Sequence, residues 1–151
     1  MARKNNPSMI TLPDKDPLQS FTHTMRSRYS ETDRMGYVYY GRYLEFFEVA
    51  RTEMIRNLGL PYKKMEEKGI MLPVVYTEIS YKSPIYYDEL MQVTVKIYET
   101  PAVRLNTWYE IFTETSERPH VLGRVILAFL DAETRRPCRA PDAFLHHFPG
   151  N

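Results

Sequence analysis

From residue 21 to residue 29 apolar and polar side chains alternate, with Phe21, His23 and Met25 on one side and Thr22, Thr24 and Arg26 on the other. A period of two predicts a strand with one wet face. The period then lengthens. Tyr43, Phe46, Phe47, Ala50, Met54 and Leu58 recur at helical spacing and predict a helix from about residue 40 to residue 58. Glu45, Glu48, Thr52 and Arg56 fall on the opposite side, while Leu44, Val49 and Ile55 widen the apolar surface beyond one stripe. A helix of that kind is expected to be covered on most sides. Gly59 and Pro61 stop it, and residues 61–68 predict a short second helix ended by Gly69.

Four strand-like stretches follow. Residues 70–82 contain Pro73, which implies an edge or a bulge. Residues 89–98 alternate cleanly through Met91, Val93, Val95 and Ile97, and residues 101–115 alternate less well. Residues 120–131 carry an almost wholly apolar run, 125–130, which suits a central strand covered on both faces. Consecutive strands on short connections predict an antiparallel sheet. One helix more apolar than a surface helix needs that sheet curved around it, an α+β arrangement. Residues 1–20 are polar and read as a flexible arm, residues 21–145 as one domain, and residues 146–151 as a C-terminal tail.

Composition narrows the function classes. The chain has 151 residues, 20 Lys and Arg against 19 Asp and Glu, so no basic excess points to nucleic acid. No apolar run is long enough to predict a membrane span, and the polar N-terminus does not read as a secretory signal. The single cysteine, Cys138, allows no internal disulfide and fits a cytoplasmic setting. The four histidines show no metal-ligand spacing: His146 and His147 are adjacent near the end, and His23 and His120 stand apart. No G-x-S-x-G elbow occurs. Eight of the twelve tyrosines gather around residues 37–43 and 76–87, a residue type suited both to strands and to half-wet pockets and interfaces.

Candidate chemistry concentrates in residues 26–53. Asp33 lies in the loop before the long helix, and Tyr40 stands where that helix starts. Unpaired N–H groups point out of a helix N-terminus, where the dipole favours negative charge. A carboxylate facing such donors supplies a nucleophile or general base, together with a cradle for an oxyanion. The plainer role for Asp33 is to cap its turn. Glu48 either lines a pocket or pairs on the solvated side with Arg51 or Thr52, and Glu31 reads as a solvated loop residue.

Tyr29, Glu31, Thr32, Asp33, Gly36, Val38, Tyr39, Tyr40 and Tyr43, followed by the helix text FFEVARTEM, resemble the signature of the 4-hydroxybenzoyl-CoA thioesterase family. The likeness extends over roughly residues 22–141, including LPVVYTEISYKSPIYYDEL. It implies a hotdog fold, an antiparallel sheet of about five strands around one long helix. It implies metal-independent hydrolysis of an acyl-CoA thioester, with coenzyme A as part of the substrate and no separate cofactor. Asp33 would be the catalytic carboxylate, attacking the carbonyl or activating water, and the backbone N–H of Tyr40 the carbonyl polariser. This branch often has His where Tyr40 stands, so the contribution expected there comes from the backbone. Gly36, Val38, Tyr39 and Glu48 are the candidate substrate-binding residues. Lys82, Arg104, Arg124 and Arg136 are candidates for the phosphates of coenzyme A. Sites at a subunit interface are implied, hence a homodimer or homotetramer. The competing expectations are a non-catalytic acyl-CoA binding module on the same fold and a 3-hydroxyacyl dehydratase, though no histidine lies on the long helix to serve the latter.

Overall fold

The computed structural model describes residues 10–150. Strand β1 (Gln19–Arg26) is followed by two 3-10 turns, Tyr29–Glu31 and Tyr40–Arg42. The second turn runs directly into helix α1 (Tyr43–Asn57), and a short helix α2 (Tyr62–Glu67) follows. The remaining elements are β2 (Ile70–Met71), β3 (Val74–Tyr81), β4 (Leu90–Ile97), β5 (Arg104–Thr113), β6 (Val121–Ala128), β7 (Leu130–Asp131) and α3 (Asp142–Leu145). Five strands form one antiparallel sheet in the order β1-β4-β5-β6-β3, and β2 pairs with β7 apart from it. The sheet wraps α1, which is the hotdog arrangement expected. The part of the expected arm before residue 10 lies outside the described residues, and β1 already begins within residues 10–20.

The alternation in β4 is the one expected: Met91, Val93, Val95 and Ile97 all face the helix and are fully buried. β5 alternates as strictly, which its side chains conceal because Thr107 and Thr113 occupy buried positions. Burial of a hydroxyl requires a partner. Thr107 donates to the carbonyl of Val125 at 2.8 Å, and Thr113 shares a hydrogen bond with His120. The apolar run 125–130 does not form one central strand. β6 ends at Ala128, the run passes into β7, and the centre of the sheet is β5.

Helix and sheet meet closely at Gly123 of β6. A Cβ there would stand 2.3 Å from the Phe47 ring, which stacks on Tyr109, the cross-strand partner of Gly123, at 4.3 Å. Tyr43, Phe46, Phe47, Ala50 and Met54 are buried as the helical pattern predicts, Leu58 is half-buried, and Ile55 from beside the stripe is buried with them. Leu44 and Val49 are exposed, so α1 is covered on fewer sides than expected. Arg51 lies on the buried side instead. It is 6% exposed, donating from Nε to the Tyr62 hydroxyl at 3.1 Å and from Nη1 to the Tyr109 hydroxyl at 2.9 Å. The C-terminal segment is not loose throughout, since Phe148 packs on Phe144 at 5.2 Å within the core cluster.

Candidate active site

The loop that carries Asp33 is a small hairpin. After β1 the chain is pinned by Ser27, whose hydroxyl donates to the carbonyl of Tyr86 at 2.6 Å and whose amide donates to that of Glu89 at 2.9 Å. The 3-10 turn that follows buries Glu31, which is not the solvated residue expected. Its carboxylate accepts from the Arg28 amide at 2.7 Å and from the Arg28 guanidinium at 3.3 Å. Thr32 and Val38 then bridge across the hairpin, and the Asp33 amide donates to the Tyr37 carbonyl at 3.0 Å. The turn closes with the Gly36 amide on the Asp33 carbonyl at 3.1 Å. Gly36 has φ +84°, a backbone that side-chain-bearing residues rarely adopt. Tyr37 bridges to Tyr86, which ties the hairpin to the loop between β3 and β4.

Asp33 caps this turn and also faces a cavity. Its Oδ1 accepts from the Met35 amide at 2.8 Å, while Oδ2 has no donor among the described residues. The cavity, about 380 Å³, is bounded by Asp33, Val38, Tyr40, Tyr43, Tyr81, Lys82 and Ser83, among others. Tyr40 opens the 3-10 turn that feeds α1, and the first bond of that turn runs from the Arg42 amide to the Tyr39 carbonyl. The amides of Tyr40 and Gly41 therefore have no acceptor among the described residues. They stand at the positive end of the helix.

The aromatic walls are ordered by their own contacts. The Tyr81 hydroxyl donates to the Tyr40 carbonyl at 3.1 Å, and the Tyr43 and Tyr81 rings lie 5.7 Å apart. Burial pushes the Tyr43 hydroxyl up to about 12, against a hydrogen bond with the Ile85 backbone, and the charges of Tyr81, Glu89 and Asp33 push the same way. Tyr43 therefore presents a neutral hydroxyl beside a carboxylate throughout the neutral range.

Of the residues singled out by sequence, Asp33, Val38, Tyr40 and Lys82 share this cavity. Gly36 shapes the turn, and Tyr39 packs its ring on that of Tyr40 at 4.5 Å. Glu48 faces a different cavity, beside Arg51, Thr52 and Tyr62. Arg104 and Arg124 stand on the face of the sheet away from α1, where Arg124 lies 4.7 Å from the Trp108 ring and donates to Asn106 at 3.0 Å. Arg136 is exposed in the loop after β7. Sequence reasoning missed Ser83 and His120, which does not stand apart: Nδ1 of His120 is 2.8 Å from the Ser83 hydroxyl. No local motif signals a pair brought together from the loop after β3 and the loop before β6. Among the described residues no group of three His, Cys, Asp or Glu side chains is placed to hold a metal. No helix there is long and apolar enough to cross a membrane.

Comparison with known proteins agrees with the fold. Residues 27–148 match the family described as the thioesterase-like superfamily. The chain is 42% identical over 90 residues to YneP of Bacillus subtilis, whose name assigns it provisionally to the acyl-CoA thioesterases; the match covers 60% of this chain and 65% of that one. It is 36% identical over 80 residues to the acyl-CoA thioesterase YbgC of Haemophilus influenzae, covering 52% of this chain and 59% of the relative. The crystal structure of a DHNA-CoA thioesterase from Staphylococcus aureus superposes with a TM-score of 0.75 at 36% identity, over 80% of each chain. With a matched segment that takes in the hairpin, the helix and every strand after it, the chain belongs to the thioesterase-like superfamily.

Proposed function

We propose that the protein is an acyl-CoA thioesterase of the 4-hydroxybenzoyl-CoA thioesterase type, with Asp33 as its catalytic carboxylate. The observation that carries this reading is that Asp33, with an open carboxylate oxygen, and Tyr40, with an unpartnered helix-start amide, line one cavity. Asp33 either attacks the thioester carbonyl or takes a proton from the attacking water; in both routes the oxyanion forms against the Tyr40 amide. One such donor is worth about 2.7–4 kcal/mol of barrier. The C–S bond then breaks, releasing coenzyme A; in the first route water cleaves the anhydride left on Asp33 and protonates the thiolate, and in the second the abstracted proton passes to the sulfur. Lys82, at the same cavity, is the first candidate to meet a phosphate of coenzyme A. The reading uses no metal or separate cofactor. The names of the YbgC and DHNA-CoA relatives support the substrate class.

The working unit in this reading is a homodimer or a larger homo-oligomer. β3 is an edge strand whose Val74, Val75, Tyr76 and Tyr81 are exposed, and α1 exposes Leu44 and Val49. An edge with apolar side chains and unpaired backbone is a template for a further strand. A second copy laid along β3 would cover it and close the mouth of the cavity at Tyr81.

The test is thiol release from a panel of short, long and aromatic acyl-CoAs. Release from at least one is expected. Measurable binding with no release from any would favour the non-catalytic binding module.

A further inference from the structure

Four tyrosines and one serine bring hydroxyl groups to the Asp33 cavity. The tyrosines are engaged locally: Tyr37 with the Met35 sulfur, Tyr81 with the Tyr40 carbonyl, Tyr43 with the Ile85 backbone, and Tyr40 with Tyr39. Ser83 differs in kind. Its partner is an imidazole, which can accept or donate a proton. His120 is 5% exposed and carries a hydroxyl on each ring nitrogen: Ser83 at 2.8 Å from Nδ1, and Thr113 at 2.7 Å from Nε2. Thr113 in turn lies 2.7 Å from the Thr115 hydroxyl. The Ser83 amide also donates to the His120 carbonyl at 3.2 Å, so backbone and side chain fix the pair together. Ser83 is exposed, whereas His120 is buried behind it.

We propose that Ser83 is a further catalytic residue of this cavity, holding the attacking water, and that His120 is the positioning residue that fixes its hydroxyl. The proposal rests on the thioester-hydrolase reading and gives Asp33 the part of general base. Either neutral tautomer of His120 satisfies this chain of hydroxyls, and in the one proposed the proton is on Nε2. Ser83 donates to Nδ1 of His120, Nε2–H donates to Thr113, and Thr113 donates to Thr115. The lone pairs of Ser83 are then free to accept from water, and the open Oδ2 of Asp33 accepts that water's other proton. As the water oxygen bonds to the carbonyl carbon, this second proton passes to Asp33. When the C–S bond breaks, it leaves with the thiolate sulfur. Ser83 gains and loses no proton.

The experiment compares thiol release by the parent, Ser83→Ala, Ser83→Thr, His120→Ala, His120→Asn and the Ser83→Ala/His120→Ala double variant, on the acyl-CoA that the parent cleaves best. Thermal midpoints are recorded alongside. Ser83→Ala should lower kcat about tenfold, the value of one well-made hydrogen bond, with KM little changed. Ser83→Thr, which keeps the hydroxyl, should recover most of the loss. His120→Ala should fall toward Ser83→Ala, and His120→Asn, whose amide oxygen can still accept from Ser83, should recover part. The double variant should be no slower than Ser83→Ala, because His120 acts only through Ser83. If the parent cleaves acyl-CoA and Ser83→Ala matches its kcat, or changes KM alone, the proposal is overturned while the thioesterase reading stands. Losses that multiply in the double variant would overturn the role given to His120. A parent that releases no thiol from any acyl-CoA sinks the thioesterase reading and this proposal with it. Should His120→Ala fail to fold, His120→Asn and the exposed Ser83 variants carry the test.

Discussion

Asp33 holds its turn with one carboxylate oxygen, and the residue lines the cavity. The two roles weighed for it from sequence, turn cap and catalyst, are thus compatible in one residue. Lengthening the side chain should expose the conflict between them: Asp33→Glu would displace the carboxylate from both the Met35 amide and the carbonyl, and turnover is expected to fall even though the charge remains. Tyr43 gives a prediction in pH. Its hydroxyl is raised from 10.0 to about 12 in the folded chain, chiefly by burial. A raised folded value favours the protonated form, so this contribution to stability is complete below pH 10 and is lost as pH climbs toward 12. Thermal midpoints measured across that window should fall for the parent, and fall less steeply for Tyr43→Phe.

At the scale of elements, α1 and the sheet are held in register by a close approach and a buried cation. Gly123→Ala drives a methyl group into the Phe47 ring, which is fully buried and stacked on Tyr109. A loss of about 1–3 kcal/mol is expected in denaturant unfolding, as for other overpacked cores. Arg51 has no carboxylate within ion-pair distance among the described residues and relies on two hydroxyls that burial keeps protonated. Tyr62→Phe strands its Nε and should cost about 1–3 kcal/mol in the same measurement. Local periods were legible in the sequence: the alternation of β4, the helical face of α1, and the Asp33–Gly36 turn. What depends on non-local pairing was not. The burial of Arg51 is decided by Tyr62 and Tyr109, that of Thr113 by His120, and the splitting of the run 125–130 by the pairing of β7 with β2. No local pattern encodes those partners.

For the whole molecule, the homo-oligomer proposed above would cover β3 and the outer side of α1. Leu44 and Val49 look buried by pattern but are exposed in a single chain. A second copy would resolve that difference. Val75 is 51% exposed on the edge strand, so Val75→Lys should leave the single-chain core intact while shifting the mass in sedimentation toward the monomer. Thiol release should fall with it if the partner completes the cavity.

If the Asp33 carboxylate does the chemistry, Asp33→Asn should abolish it without disturbing the fold. The amide keeps an oxygen for the Met35 amide, so the turn and the thermal midpoint should be preserved. Turnover of the best acyl-CoA should fall at least ~100-fold, the low end for loss of a general base. An Asp33→Asn variant that folds, assembles and releases thiol at the parent's rate would contradict the account.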